Sequence, residues 1–257
     1  MLKKITVLLT LAFLLNSCVS GKEIIYLQNI PQGENSSNTY EPKLQPDDLL
    51  MIVVSAPDAK AAIPFNLPAA SVSGTVVGEV DSAAAQARYQ SYLIDNKGNI
   101  QFPVIGNMKL GGLTRAEALE KITGELKKYI KSPTVNMRIM NFQVSVTGEV
   151  NKPGEYTILT ERITLLEALG LAGDMTIYGK RNKILIIREV DGKKTHAYVD
   201  LTKGDFINSP YYYLSQNDQI YVEPNKTRIN SSAVGPNTSV IISAISILIT
   251  IVAIVIR

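Results

Sequence analysis

Two seven-residue stretches fifty residues apart constrain this chain most: LTRAEAL at residues 113–119 and ITLLEAL at residues 163–169. They match at five of seven positions if Leu113 and Ile163 count as equivalent. Each carries Thr-x-x-Glu just before a helical run, the pattern of a capping box. The hydroxyl of Thr114 or Thr164 accepts from the amide three residues on, while Glu117 or Glu167 reaches back to the threonine amide. Each threonine cap contributes about 1 kcal/mol. Thr-x-x-Glu opens many helices, so the boxes alone decide little. Both follow a hairpin pattern, however, and a strand–turn–strand–helix unit that occurs twice points to related α+β modules.

The neighbouring segments fill in these units. LLMIVVSA, residues 49–56, is a continuous apolar run of strand length, opened by Pro46-Asp47-Asp48 and closed by Pro57. Residues 58–90 have no convincing period and read as an inserted loop. SYLIDNKGNIQFPVIG is expected to form a hairpin around Asp95-Asn96-Lys97-Gly98. A helix follows at about Thr114–Ile130, with Leu119, Ile122, Leu126 and Tyr129 on one face. Val135, Met137 and Ile139, then Phe142, Val144 and Val146, mark two alternating strands. Lys152-Pro153-Gly154-Glu155 has the chemistry of a type II turn. A second helix is expected at about Leu165–Ala172. KILIIREV and THAYVDL flank Asp191-Gly192 as a hairpin, and QIYVEP ends the body as a strand.

The two ends speak of membranes. MLKKITVLLTLAFLLNSC has two lysines and an apolar run, Ile5 to Leu15, too short to cross a bilayer but suited to a secretory signal peptide. Leu15-Asn16-Ser17-Cys18 leads into the only cysteine and resembles a bacterial lipoprotein processing site, with Cys18 the lipid anchor. Several acyl chains hold firmly, where one anchors only reversibly. Intrachain disulfides are excluded for want of a second cysteine. At the other end, SVIISAISILITIVAIVIR sets Ser239, Ser243, Ser246, Thr250 and Ala253 four and three residues apart. In a helix that spacing is a stripe facing a seam or a lumen, and the run is expected to be a membrane-spanning helix. When Lys3 and Lys4 leave with the signal, the formal net charge of +3 falls by two, which gives no electrostatic case for nucleic acid. A hydrophobic content of 46% is ample for a core.

The ordered motifs resemble the polysaccharide export outer-membrane lipoproteins of the Wza type. The first module does so through Tyr40-x-x-x-Leu44-x-Pro46-Asp47-Asp48-Leu49, Ile94-Asp95-x-x-Gly98-x-Ile100-x-Phe102-Pro103-x-Ile105-Gly106 and Gly112-Leu113-Thr114-x-x-Glu117-Ala118. The second resembles their SLBB module through Val146-x-Gly148-Glu149-Val150-x-x-Pro153-Gly154-x-Tyr156, Thr164-Leu165-x-Glu167-Ala168-Leu169-x-x-Ala172-Gly173 and Asn217-Asp218-x-Ile220-x-Val222-x-Pro224. The resemblance implies an α+β fold: a polysaccharide-export domain at 40–140, with the insertion at 58–90, then a β-grasp-like SLBB domain at 141–224. A signal peptide at 1–17, a lipidated tether at 18–39, a linker at 225–237 and a C-terminal transmembrane helix at 238–257 complete the expected plan. It further implies a homo-oligomeric ring at the outer membrane with its body in the periplasm. C-terminal helices would join as a barrel for polysaccharide, and an inner-membrane co-polymerase of the tyrosine-kinase type would be a partner.

Catalysis finds few parts. His196 is the only histidine and sits in a strand pattern, and zinc sites or Ser–His and Cys–His arrangements lack members. No cofactor is expected. Lys180, Arg181 and Lys183 could meet an anionic polysaccharide or form a solvated strand face. Tyr211-Tyr212-Tyr213 could stack on sugar rings or pack at an interface. Besides the export channel, a periplasmic saccharide-binding lipoprotein that docks with the machinery without forming the pore remains open.

Overall fold

The computed structural model describes residues 23–30, 41–67, 90–190, 192–233 and 238–255. Strand β1 (Leu49–Ser55) buries Leu50, Ile52 and Val54 at alternate positions, and the helical turns α1 (Ala59–Ala62) and Ile63–Phe65 follow it directly. The insertion expected from residue 58 thus begins with ordered helix. Asp58 caps α1 by accepting from the Lys60 amide, and Ala62 and Phe65 enter the core. Residues 68–89 of that insertion lie outside the described part.

β1 pairs antiparallel with β2 (Tyr92–Leu93) on one side. The turn at Asp95–Gly98 forms as expected, with Asp95 Oδ1 accepting from Lys97 N at 2.9 Å and Asn99 N at 2.7 Å. Its flanking strands nevertheless do not pair with each other. β2 joins β1, while β3 (Asn99–Phe102) pairs with β4 (Gly106–Lys109) across a turn where Val104 and Gly106 take positive φ. Helix α2 (Arg115–Leu126) buries Ala118, Ile122 and Leu126. Tyr129 lies past its end and stays exposed, so Ile130 fills the core instead. β5 (Thr134–Ile139) closes the sheet on the free side of β1, giving the order β2-β1-β5.

The second unit is a five-stranded mixed sheet. β6 (Gln143–Gly148) turns into β7 (Gly154–Thr157), and α3 (Leu165–Leu171) crosses one face. β8 (Gly179–Val190), β9 (Lys193–Val199) and β10 (Gln219–Pro224) complete the order β7-β6-β10-β8-β9, with β6 and β10 parallel. The core lies between α3 and the inner face, where Leu165, Ala168 and Leu169 meet Val144, Val146, Ile184, Ile186, Ile220 and Val222. Both capping boxes close. Thr114 N donates to Glu117 Oε2 at 2.7 Å and Thr164 N to Glu167 Oε2 at 2.8 Å, and each glutamate amide returns a bond to the threonine hydroxyl. The hairpin–helix order therefore occurs twice, as β3-β4-α2 and β6-β7-α3.

Three peripheral expectations need correction. Residues 23–30 of the expected tether dock on the second unit. Leu27 N donates to Leu201 O at 2.9 Å, Gln28 N to Thr202 O at 2.8 Å and Tyr26 OH to Asp174 Oδ1 at 2.6 Å, because Tyr26 and Leu27 have apolar surface to bury. The expected linker contains helix α4 (Lys226–Ala233), whose start is fixed by Asn225 Oδ1 accepting from Arg228 N at 3.0 Å. The C-terminal run forms helix α5 (Thr238–Val255) of 18 residues. Among the described residues no helix is long and apolar enough to cross a membrane.

Candidate functional site

Two surfaces collect the expected site residues, and a junction between the units adds one that reading the sequence missed. The first surface is the C-terminal stripe. Ser246 Oγ donates to Ile242 O at 2.9 Å and Thr250 Oγ1 to Ser246 O at 2.8 Å, so these two hydroxyls turn back on their own helix. Ser243 is exposed, as are Val240, Ile242, Ile245, Ile247, Leu248, Ile249, Ile251 and Ile254. The side chains of Ser239 and Ala253 lie outside the described part, as does Cys18. Among the described side chains of the helix every apolar one is exposed, and Ser243, Ser246 and Thr250 are the polar ones.

The second surface lies at the start of β8. The expected cationic trio does not act as one patch. Arg181 is buried, with Nη1 donating to Gly179 O at 3.1 Å and Thr176 O at 3.3 Å and its guanidinium over the Tyr26 ring at 5.3 Å. Lys180 Nζ and Lys183 Nζ straddle one carboxylate, at 3.0 and 2.9 Å from the two oxygens of Glu223. Lys183 leads in holding the Glu223 carboxyl below its ordinary range, and Glu223 in turn raises Lys183. Spacing along β8 showed the cations, but the carboxylate they share arrives from β10, more than thirty residues later. Tyr211, Tyr212 and Tyr213 also turn inward on their own chain. Arg188 lies 5.1 Å from the Tyr211 ring centre, Tyr212 meets Tyr213 edge-on at 5.0 Å, and Tyr212 O accepts from Leu165 N. His196 is exposed on β9. Among the described residues no group of three or more His, Cys, Asp or Glu side chains could hold a metal ion.

At the junction, Asn141 and Gln216 link the units. Asn141 Oδ1 accepts from Leu49 N and its Nδ2 donates to Asp47 O, while Gln216 Nε2 donates to Asn141 O and its Oε1 accepts from Gln143 N. Arg115 reaches Glu161 across the gap at 3.2 Å. A small hollow there is lined by Gln45, Asp48, Glu161, Ser215 and Gln216 among others. Asp48 is 1% exposed; its Oδ2 accepts from Gln45 N at 2.8 Å and its Oδ1 has no partner among the described residues. Burial, helped by the charge of Asp47, pushes its carboxyl up to about 6.

A carboxyl raised on folding favours the fold when protonated. Its contribution is therefore greatest below the unfolded value of about 4 and is lost as pH rises through about 6. Asp48→Asn should remove that slope. The stability of the variant relative to the parent should climb by about 2 kcal/mol between pH 4 and pH 7, read as urea midpoints across that range. Parallel profiles would show that Asp48 does not titrate in this way.

Comparison with known proteins places these units. Residues 36–140 match the family described as polysaccharide biosynthesis/export protein, and residues 143–222 match the SLBB domain. The EPS I polysaccharide export outer membrane protein EpsA of Ralstonia solanacearum is 28% identical over 167 residues, 62% of this chain and 44% of the relative. Its namesake in Ralstonia nicotianae is 30% identical over 154 residues, 57% and 40% of the two chains. The exopolysaccharide production protein ExoF of Rhizobium meliloti is 27% identical over 88 residues, 33% and 21%. The chain spans less than half the length of these curated relatives. With an export domain and an SLBB domain matched in that order from residue 36 to residue 222, the chain belongs to the Wza-type polysaccharide export family.

Proposed function

We propose that this protein is a non-enzymatic component of a capsular or exopolysaccharide export machine at the outer membrane of a Gram-negative bacterium. The ordered pair of export and SLBB domains carries the reading, and two relatives named as polysaccharide export outer membrane proteins support it. Cys18 is its lipid anchor, and the folded body stands in the periplasm. Copies of the chain assemble into a ring, and the α5 helices gather as the wall of the exit, with Ser239, Ser243, Ser246, Thr250 and Ala253 toward neighbours or lumen. The exposed apolar surface of α5 supports this, since so much uncovered hydrocarbon calls for lipid or protein against it. An inner-membrane co-polymerase of the tyrosine-kinase type hands the polymer on.

A second reading is a lipid-anchored saccharide-binding protein that docks with the machine without forming its pore; the inward pairing of Ser246 and Thr250 on their own helix favours it. The native mass of the detergent-extracted protein separates the two. The ring predicts a discrete particle of many subunits, broken by Ser243→Asp or Thr250→Asp. A monomer that still supports polysaccharide secretion in a complemented deletion strain would favour docking, and secretion unaffected by deletion would end both readings.

A further inference from the structure

Among the described residues helix α3 covers one face of the five-stranded sheet, and the other face is laid out by the strand register. Leu185 stands between Tyr198 on β9 and Tyr221 on β10, and Thr147 on β6 continues that row. The next row holds His196, Ile187, Gln219 and Ser145. Tyr198 is 55% exposed and Tyr221 40%, although both sit on regular paired strands. Two strand spacings put their backbones about 10 Å apart on one surface. A span of that size holds about two linked hexose rings.

We propose that this open sheet face is a glycan-binding platform, on which Tyr198 and Tyr221 stack against an uncharged stretch of polysaccharide. The inference rests on the export reading and names the chemistry of the substrate it would meet. A hexose ring offers an apolar C–H face and a rim of hydroxyls. Tyrosine offers an apolar ring with a polar tip, and the side chains of Ser145, Thr147, Gln219 and His196 lie beside the rings as hydrogen-bonding groups. This face carries as many carboxylates as lysines once Glu155 on β7, opposite Ser145, is counted with Glu223 and Glu189. Lys183 Nζ lies 2.9 Å from Glu223 and 4.6 Å from the Tyr198 ring centre, Lys180 shares the same carboxylate, and Glu189 stands opposite Lys194. A charge-compensated surface complements a neutral ligand and gives an anionic one no net attraction. It also suits a protein partner poorly, because interface cores are depleted of charged residues, whereas here the ion pair sits against the aromatic ring.

Calorimetric titration of the full-length detergent-solubilised protein tests the proposal, with a neutral β-linked glucan oligosaccharide and a uronate oligosaccharide of equal length as probes. The glucan is expected to bind with an affinity insensitive to salt. Tyr198→Ala and Tyr221→Ala should each weaken it about three- to tenfold, and Tyr198→Phe should keep it. Absence of glucan binding, tighter uronate binding that weakens with salt, or alanine variants that bind like the parent would each overturn the platform. So would alanine variants that lower the particle mass while binding is unchanged, since the face would then join subunits. Polysaccharide secretion by the complemented deletion strain judges the export reading separately and can survive failure of the platform.

Discussion

Gly148→Ala is expected to unfold the SLBB domain while the export domain stays folded. Gly148 ends β6 at φ +90°, directly opposite Val222 in the parallel ladder with β10. A Cβ there would lie 2.1 Å from Val222 O, 2.9 Å from its carbonyl carbon and 3.0 Å from its nitrogen. All three are backbone atoms at the centre of the sheet, so relief requires β6 and β10 to separate. The same carbonyl accepts from Glu149 N at 3.0 Å, a bond that goes with them. Positive φ adds ~1–2 kcal/mol for a residue with a side chain, and separating the central pair raises the total beyond about 4 kcal/mol, the range in which marginally stable domains fail. Hydrogen exchange should show loss of protection in β6, β8 and β10 with β1 and β5 retained. Gly154→Ala is the control: its φ is not positive and its Cβ would approach only the Tyr156 ring end, at 3.9 Å, so a change below about 1 kcal/mol is expected. Protection in Gly148→Ala equal to that control would show that the ladder tolerates a side chain there.

That pair of glycines shows where the sequence could and could not be read. Lys152-Pro153-Gly154-Glu155 has type II turn chemistry, yet Gly154 keeps negative-side backbone angles and begins β7, while Gly148 carries the positive φ. Local chemistry marks a turn, but which glycine is indispensable depends on Val222, seventy-four residues away. The two capping boxes were legible because their donors and acceptors lie three residues apart. The β8–β9 hairpin was legible for the same reason, with Asp191-Gly192 between alternating runs. The β2–β3 hairpin misled, since the preference of β2 for β1 is decided by a strand some forty residues earlier. At the candidate sites the pattern repeats. Lys180 and Lys183 are visible in sequence as cations, but their pairing with Glu223 and the burial of Arg181 against Tyr26 are long-range facts. The tyrosine platform escaped for the same reason, because Tyr198 and Tyr221 belong to different strands and share a row only through the register of β8.

Asp218→Ala is expected to cost about 3–5 kcal/mol, the range for removing one partner of a buried ion pair. Asp218 is fully buried, and Arg188 grips it with Nε at 2.9 Å and Nη2 at 2.6 Å while Nη2 also donates to Tyr213 O at 3.1 Å. Burial raises the Asp218 carboxyl and the guanidinium pulls it back. The carboxylate also accepts from Ser215 N at 2.8 Å, which fixes the turn presenting Gln216 to Asn141 and Gln143. Loss of Asp218 should therefore do two things: lower the melting temperature of the SLBB domain, and loosen that domain from the export domain so that the segment around Asn141 becomes sensitive to protease. The double replacement Arg188→Met with Asp218→Leu distinguishes stability from linkage. Removing both charges together leaves no uncompensated ion, so much of the stability should return. The Ser215 amide would still lack its acceptor, and cleavage near Asn141 should persist. If the double variant restores both protease resistance and stability, the carboxylate serves only to balance Arg188 and the turn holds its own shape. If it restores neither, the ion pair has a role in the core that apolar packing cannot replace. Stability without linkage is the expected result, because Ser215, next to Gln216, gives its amide to the Asp218 carboxylate, and a leucine there offers no acceptor.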